Sequence, residues 1–184
     1  MKSGAPSKLT YDDFVGFPDD GKRHELIDGV HYVTPSPWTR HQQLVVELLC
    51  SLYPYLRDER RGEALSYVDV VLSNHDIVCP DVLVILAEQA DIVTPLNLRG
   101  APAIIVEIMS DVTRERDETL KRALYERAGV REYWTVDPDE DVVVVHRFEA
   151  SDPETVTLRR GSAQLLTSPL LPGWARPVDD LLAR

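Results

Sequence analysis

The chain has 184 residues, 43% hydrophobic and 28% charged, enough for one well-buried core and short of what two ordinary domains need. No apolar run approaches the roughly 20 residues of a membrane-spanning helix, and MKSGAPSKLT at the N-terminus has no apolar signal region, so a membrane protein is excluded and a cytoplasmic location expected. A net charge of −11 opposes non-specific attraction to a polyanion, so any nucleic-acid role must rest on a local cationic patch or on bound metal.

Residues 1–9 carry no periodicity and are expected as a flexible arm, which leaves 10–184 as a single domain. TYDDFVGFPDDG predicts a short helix that stops at Pro18 and Gly21. In HELIDGVHYV the dipeptide Asp28-Gly29, suited to the positive φ angles of a two-residue turn, separates two apolar segments. The prediction is a β-hairpin with Glu25 on its first strand. After PSP, Thr39 to Gln42 fits a capping box with Thr39 as N-cap, and a helix over 40–56 follows. Its apolar stripe is Leu44, Val45, Leu48, Leu49 and Leu52. At roughly 100° per residue, His41 falls near the centre of that stripe and Glu47 well outside it. His41 should therefore face the body of the protein and Glu47 water.

Five Val- and Ile-rich segments read as strands: SYVDVVLS, DVLVIL, IIVEIM, EYWTVD and DVVVVHRF. The first alternates, and the middle two read as buried on both faces. Between IIVEIM and EYWTVD, TRERDETLKRALYERAG predicts a helix with Thr113 as N-cap, Glu115, Asp117 and Glu118 in its early turns, and Gly129 as terminator. Strand, helix, strand implies a right-handed crossover and a partly parallel sheet, while the hairpin implies antiparallel strands at one side. The fold class is α/β, with a mixed central sheet flanked by helices and an N-terminal hairpin. Cys50 and Cys79 lie in apolar sequence without metal-ligand spacing and are expected as small core residues.

Three residues conflict with their local pattern. Asp81 opens DVLVIL after Pro80, and alone it reads equally as a strand-start residue. Glu107 interrupts IIVEIM, and an unpaired carboxylate in a dry core costs several kcal/mol, so its site must provide a cation or a cleft. Lys121 lies on the following helix, where the plain alternative is an ion pair with Asp117 one turn earlier. Taken together they describe two carboxylates from separate strands and a lysine from the next helix. Hard oxygen ligands suit Mg²⁺ or Mn²⁺, and such a site has the chemistry of phosphodiester hydrolysis.

PDVLVI, IIVEIMSDVTRERDETLKRALYERAGVREYWTVDP, HELIDG and PSPWTRHQQL together resemble the Uma-two restriction-endonuclease family of the PD-(D/E)XK nuclease superfamily. The resemblance covers roughly residues 9–180 and is most specific from Ala103 to Pro138. It implies a restriction endonuclease-like fold and maps Asp81 and Glu107 onto the acidic metal-binding pair. The chain departs from the superfamily pattern two residues after Glu107, where the usual lysine is Met109, a thioether that neither carries charge nor donates a strong hydrogen bond. The resemblance then points to branches in which the lysine has moved to the following helix, which nominates Lys121. Tyr125, one turn on, would share its face. SDVT, where the family more often shows a proline after the serine, removes no proposed ligand.

Glu25 and His41 match further family positions and could line the cleft. For Glu25 hairpin-to-helix pairing, and for His41 a hydrogen-bonded core histidine, are equally open. Trp38 could contact a nucleic acid or serve as a hydrophobic staple. Arg114, Arg116, Arg122, Arg127 and Arg131 are interleaved with acids and read as an ion-paired helix surface rather than a phosphate contact. The reading that follows is a Mg²⁺- or Mn²⁺-dependent endonuclease acting on DNA, expected by resemblance as a homodimer. The alternative is a catalytically inactive nuclease-fold protein that binds a nucleic acid or a protein partner.

Overall fold

The computed structural model describes residues 7–148 and 153–183. Residues 1–6 of the expected arm lie outside that range; Leu9, at its end, already donates its amide to the Gly29 carbonyl at 3.0 Å. Helix α1 (Tyr11–Phe14) is a single turn started by a reciprocal capping box between Thr10 and Asp13. Strands β1 (Arg23–Ile27) and β2 (Val30–Thr34) form the predicted hairpin. Asp28 and Gly29 turn it with φ of 54° and 73°, the pair of positive angles that matches strand twist.

Helix α2 (Thr39–Arg57) buries Leu44, Val45, Leu48, Leu52 and Leu56 on one face. Its start differs from expectation. Trp38 is the N-cap, Thr39 is already helical, and no side chain caps the end. An exposed helix start can leave its first amides to water, so a box sequence is not compelled to close. Cys79 is buried as expected, but Cys50 is exposed, because position 50 lies off the buried stripe of α2.

Next come β3 (Gly62–Leu65), β4 (Val70–Ser73), β5 (Asp76–Val78), β6 (Val82–Leu86), β7 (Leu98–Arg99) and β8 (Ile104–Ile108). Helix α3 (Arg114–Arg116) runs through a π turn at Asp117–Lys121 into α4 (Arg122–Ala128), which Gly129 ends at φ 88°. The chain closes with β9 (Glu132–Asp137), β10 (Val142–Arg147), β11 (Glu154–Arg159), β12 (Leu165–Thr167), β13 (Ala175–Pro177) and α5 (Val178–Leu181).

Six strands form the central sheet in the order β11-β10-β9-β8-β6-β3, with β8 and β9 parallel and joined by the α3–α4 segment. A second sheet, β2-β1-β5-β4-β7, takes both the hairpin and the alternating segment SYVDVVLS. The hairpin thus belongs to its own sheet instead of extending one side of the central sheet.

Strand periodicity places the site. Val82, Val84, Ile104, Val106, Ile108, Trp134 and Val136 pack in one cluster with the α2 leucines. Leu83, Ile85, Ile105 and Tyr133, the alternate residues, pack with Leu124 and Tyr125 of α4. With a side-chain period of two, Glu107 falls on the α4 side of the sheet together with Ile105. That face also carries Lys121.

Candidate active site

β6 pairs antiparallel with β8 through Val82–Val106 and Leu83–Ile105. Continuing that register by one residue sets Asp81 opposite Glu107, the closest relation two strands offer a pair of side chains. The Ile108 amide, at the end of β8, donates to Asp81 Oδ2 at 2.8 Å and fixes the carboxylate there. Asp81 is 4% exposed and Glu107 1%. Two adjacent carboxylates buried this deeply require cations.

Lys121 is the one on Glu107. Its ammonium donates to Glu107 Oε1 at 2.9 Å, stands 2.9 Å from Glu25 Oε1, and lies 3.6 Å from Asp117 Oδ1. Tyr125, one turn beyond, donates its hydroxyl to the same Glu107 oxygen at 2.7 Å. Lys121 lines the cleft and also makes the ion pair with Asp117, whereas Glu25 makes the hairpin-to-helix pair and is not part of the cleft wall. Glu25 also accepts from the Cys79 amide at 3.2 Å and faces Arg116 at 3.5 Å.

Asp81 is held from the other side by His41 Nε2 at 3.0 Å from Oδ2 and Arg23 Nη2 at 2.8 Å from Oδ1. His41 reaches it from the buried face of α2, as the helical phase requires. Asp81, Glu107, Lys121, Glu25, His41 and Tyr125 thus form one connected cluster.

Burial works against ionisation of Asp81, yet the His41 bond, Arg23 and the Ile108 amide outweigh it and hold the carboxyl at about 2. Glu107 moves the other way. Burial pushes its carboxyl up to about 8, with Asp81, Asp117 and Glu25 adding to the rise and Lys121 opposing it. Glu25 also suffers burial but stays below its usual value because Lys121 and Arg116 face it. Lys121 is raised despite burial, since three carboxylates favour its charge. Two facing carboxyls driven apart in this way can hold different protonation states at one pH.

Asp81 and Glu107 line a cleft of about 170 Å³ whose wall also includes His41, Met109, Arg116 and Trp38. Its wall carries further charged residues that the sequence does not nominate for a site, Arg23, Arg116 and Asp117 among them. Arg23 was unremarkable as the first residue of a hairpin, Arg116 was assigned to an ion-paired surface, and Asp117 was weighed only as a partner for Lys121. Arg116 instead turns inward, donating to Thr34 Oγ1 at 2.7 Å. Arg114, Arg127 and Arg131 do pair, but mostly away from their own helix: Arg114 with Asp137, Arg127 with Asp76 and Arg131 with Glu88. The buried Nε atoms of Arg23 and Arg116 and the Nδ1 of His41 have no hydrogen-bond partner.

The donor set can be tested against a divalent ion. Among the described residues no group of three or more His, Cys, Asp or Glu side chains is arranged to hold one. Both bonds to Glu107 fall on Oε1 and leave Oε2 clear of them, whereas Asp81 Oδ2 takes His41 and the Ile108 amide and Oδ1 is ion-paired with Arg23, so an ion at Asp81 would displace that guanidinium. Two carboxylates are what Mg²⁺ takes from a protein when water and substrate phosphate supply the rest. The residues fit that mode and no all-protein cage.

A family model described as "Uma2: Putative restriction endonuclease" matches residues 11–179. Among solved structures, the chain is similar to the crystal structure of a putative nuclease belonging to DUF820 from Anabaena variabilis, with a TM-score of 0.81 and 21% identity over 95% of this chain and 98% of that one. At that identity the likeness shows a shared fold. No curated protein matches. Among the described residues no helix is long and apolar enough to cross a membrane.

Proposed function

The chain belongs to the Uma2 family of restriction-endonuclease-like proteins, and from that premise we propose that it is a metal-dependent endonuclease hydrolysing DNA phosphodiester bonds within one domain spanning 10–184. The observation that carries the reading is Asp81 opposite Glu107 in a cleft, with the Lys121 ammonium on Glu107.

Asp81 and Glu107 would hold Mg²⁺ or Mn²⁺, which when bound lowers the pKa of its water and neutralises charge on the phosphate. The chain's own groups do the positioning. His41 and the Ile108 amide fix Asp81, while Lys121 and Tyr125 fix Glu107. Arg23, ion-paired with Asp81 at 2.8 Å, lines the same cleft. By family resemblance two copies would act together as a homodimer, which light scattering would detect.

The test is cleavage of plasmid and linear DNA with Mg²⁺ or Mn²⁺ by the wild-type chain, and its loss in Glu107→Ala and Asp81→Asn. The second reading, an inactive nuclease fold that binds a nucleic acid or protein, is favoured by Arg23 on Asp81 and by Met109 at the usual lysine position. It prevails if calorimetry detects no divalent-ion binding and no DNA is cut.

A further inference from the structure

Trp38 is 82% exposed, whereas Trp134 and Trp174 are 0% and 5% exposed. A hydrophobic staple would cover its ring, so that alternative fails. The indole sits at the N-cap of α2 just after Pro35-Ser36-Pro37, where two fixed proline φ angles stiffen the chain. Three residues on, His41 holds Asp81. Trp38 lines the same cleft as Asp81 and Glu107, as does Val112, itself 71% exposed.

We infer that Trp38 is a stacking platform for one nucleobase and that the cleft takes a single-stranded or unpaired stretch of nucleic acid. The inference rests on the phosphodiester reading of the site and adds the substrate class. An indole can lie only against a base face that is free, and in a duplex both faces are covered by neighbouring bases. A ring carried on a stiff segment loses little freedom when a base settles on it. Charge points the same way. The chain carries −11, and a single strand brings about half the phosphate charge per unit length of a duplex. Beside the platform, Arg23, Arg40 and Arg116 line the cleft and supply positive charge for a single strand's phosphates.

Trp134 and Trp174 are buried and emit as well, but only the exposed Trp38 ring can be reached by a base, so emission lost on oligonucleotide binding in the wild type and retained in Trp38→Phe reports on Trp38. With Mg²⁺ present, a short oligothymidylate should quench it saturably, before any cleavage, and a blunt hairpin duplex should do so far less. By anisotropy of a labelled oligothymidylate, Trp38→Ala should bind about tenfold more weakly while Trp38→Phe keeps most of the affinity. No quenching, equal quenching by the duplex, or unchanged affinity in Trp38→Ala would overturn the inference. So would an emission shift with protein concentration alone, which would assign the ring to a second copy. Stacking is read without hydrolysis, so quenching in a protein that cuts nothing refutes only the nuclease reading. Cleavage with an unresponsive Trp38 refutes only this one.

Discussion

Lys121 answers to three carboxylates at once, Glu107, Glu25 and Asp117, at 1% exposure. Replacing it by methionine would keep the bulk but leave those acids buried without their main cation. Lys121→Met should therefore cost about 3–5 kcal/mol in urea unfolding, the penalty of breaking a buried pair from one side. Glu107→Gln is expected to differ. Burial already lifts the Glu107 carboxyl to about 8, so a neutral isostere relieves a crowded acidic cluster. Stability should hold or rise while divalent-ion binding by calorimetry and DNA cleavage are lost. A large loss of stability in Glu107→Gln would mean that the carboxylate is there to balance Lys121. Met109, 3% exposed, packs at the position where the superfamily usually has a charge, and its thioether makes no such demand on the cluster.

The π turn at Asp117–Lys121 is the element that shapes the cationic side of the site. Widening the helix there is a local departure of a kind often found at functional sites, and it buries Asp117 and Lys121 together. β3 depends on a close approach: at Gly62 (φ 154°) an added Cβ would lie 2.1 Å from the Ile85 carbonyl oxygen of β6. Gly62→Ala should cost at least about 1–3 kcal/mol, seen as a lowered Tm, because both the backbone angle and the strand spacing must give. On β10, His146 stacks on Tyr133 at 5.9 Å and on Phe148 at 6.3 Å, and burial with help from Arg122 brings its pKa down to about 4. The unfolded chain takes up that proton first as pH falls from the ordinary 6.5, so this contribution is present above 6.5 and lost on the way to about 4. Urea unfolding at both ends of that range should show a smaller pH dependence in His146→Gln than in the wild type.

At the scale of the molecule, a charge of −11 sits against a cleft lined by Arg23, Arg40 and Arg116. Three phosphate contacts to a single strand imply that log affinity falls with log salt at a slope of about −2. A much steeper slope would move the nucleic-acid surface away from this cleft. The two sheets meet at this charge cluster, where Glu25 and Arg23 of β1 face Lys121 and Asp81.

Much was legible from periodicity and turn chemistry, since these act between near neighbours in the chain. Asp28-Gly29 dictated the hairpin, the apolar runs dictated the buried β6 and β8, and Glu107 announced itself as a carboxylate where burial demanded a partner. Which partners it has, why Arg23 and Arg116 turn inward and how Asp81 comes to face Glu107 depend on contacts between segments far apart in the chain. Those contacts are set by strand register and by the packing of one sheet beside another, and only the tertiary structure decides them.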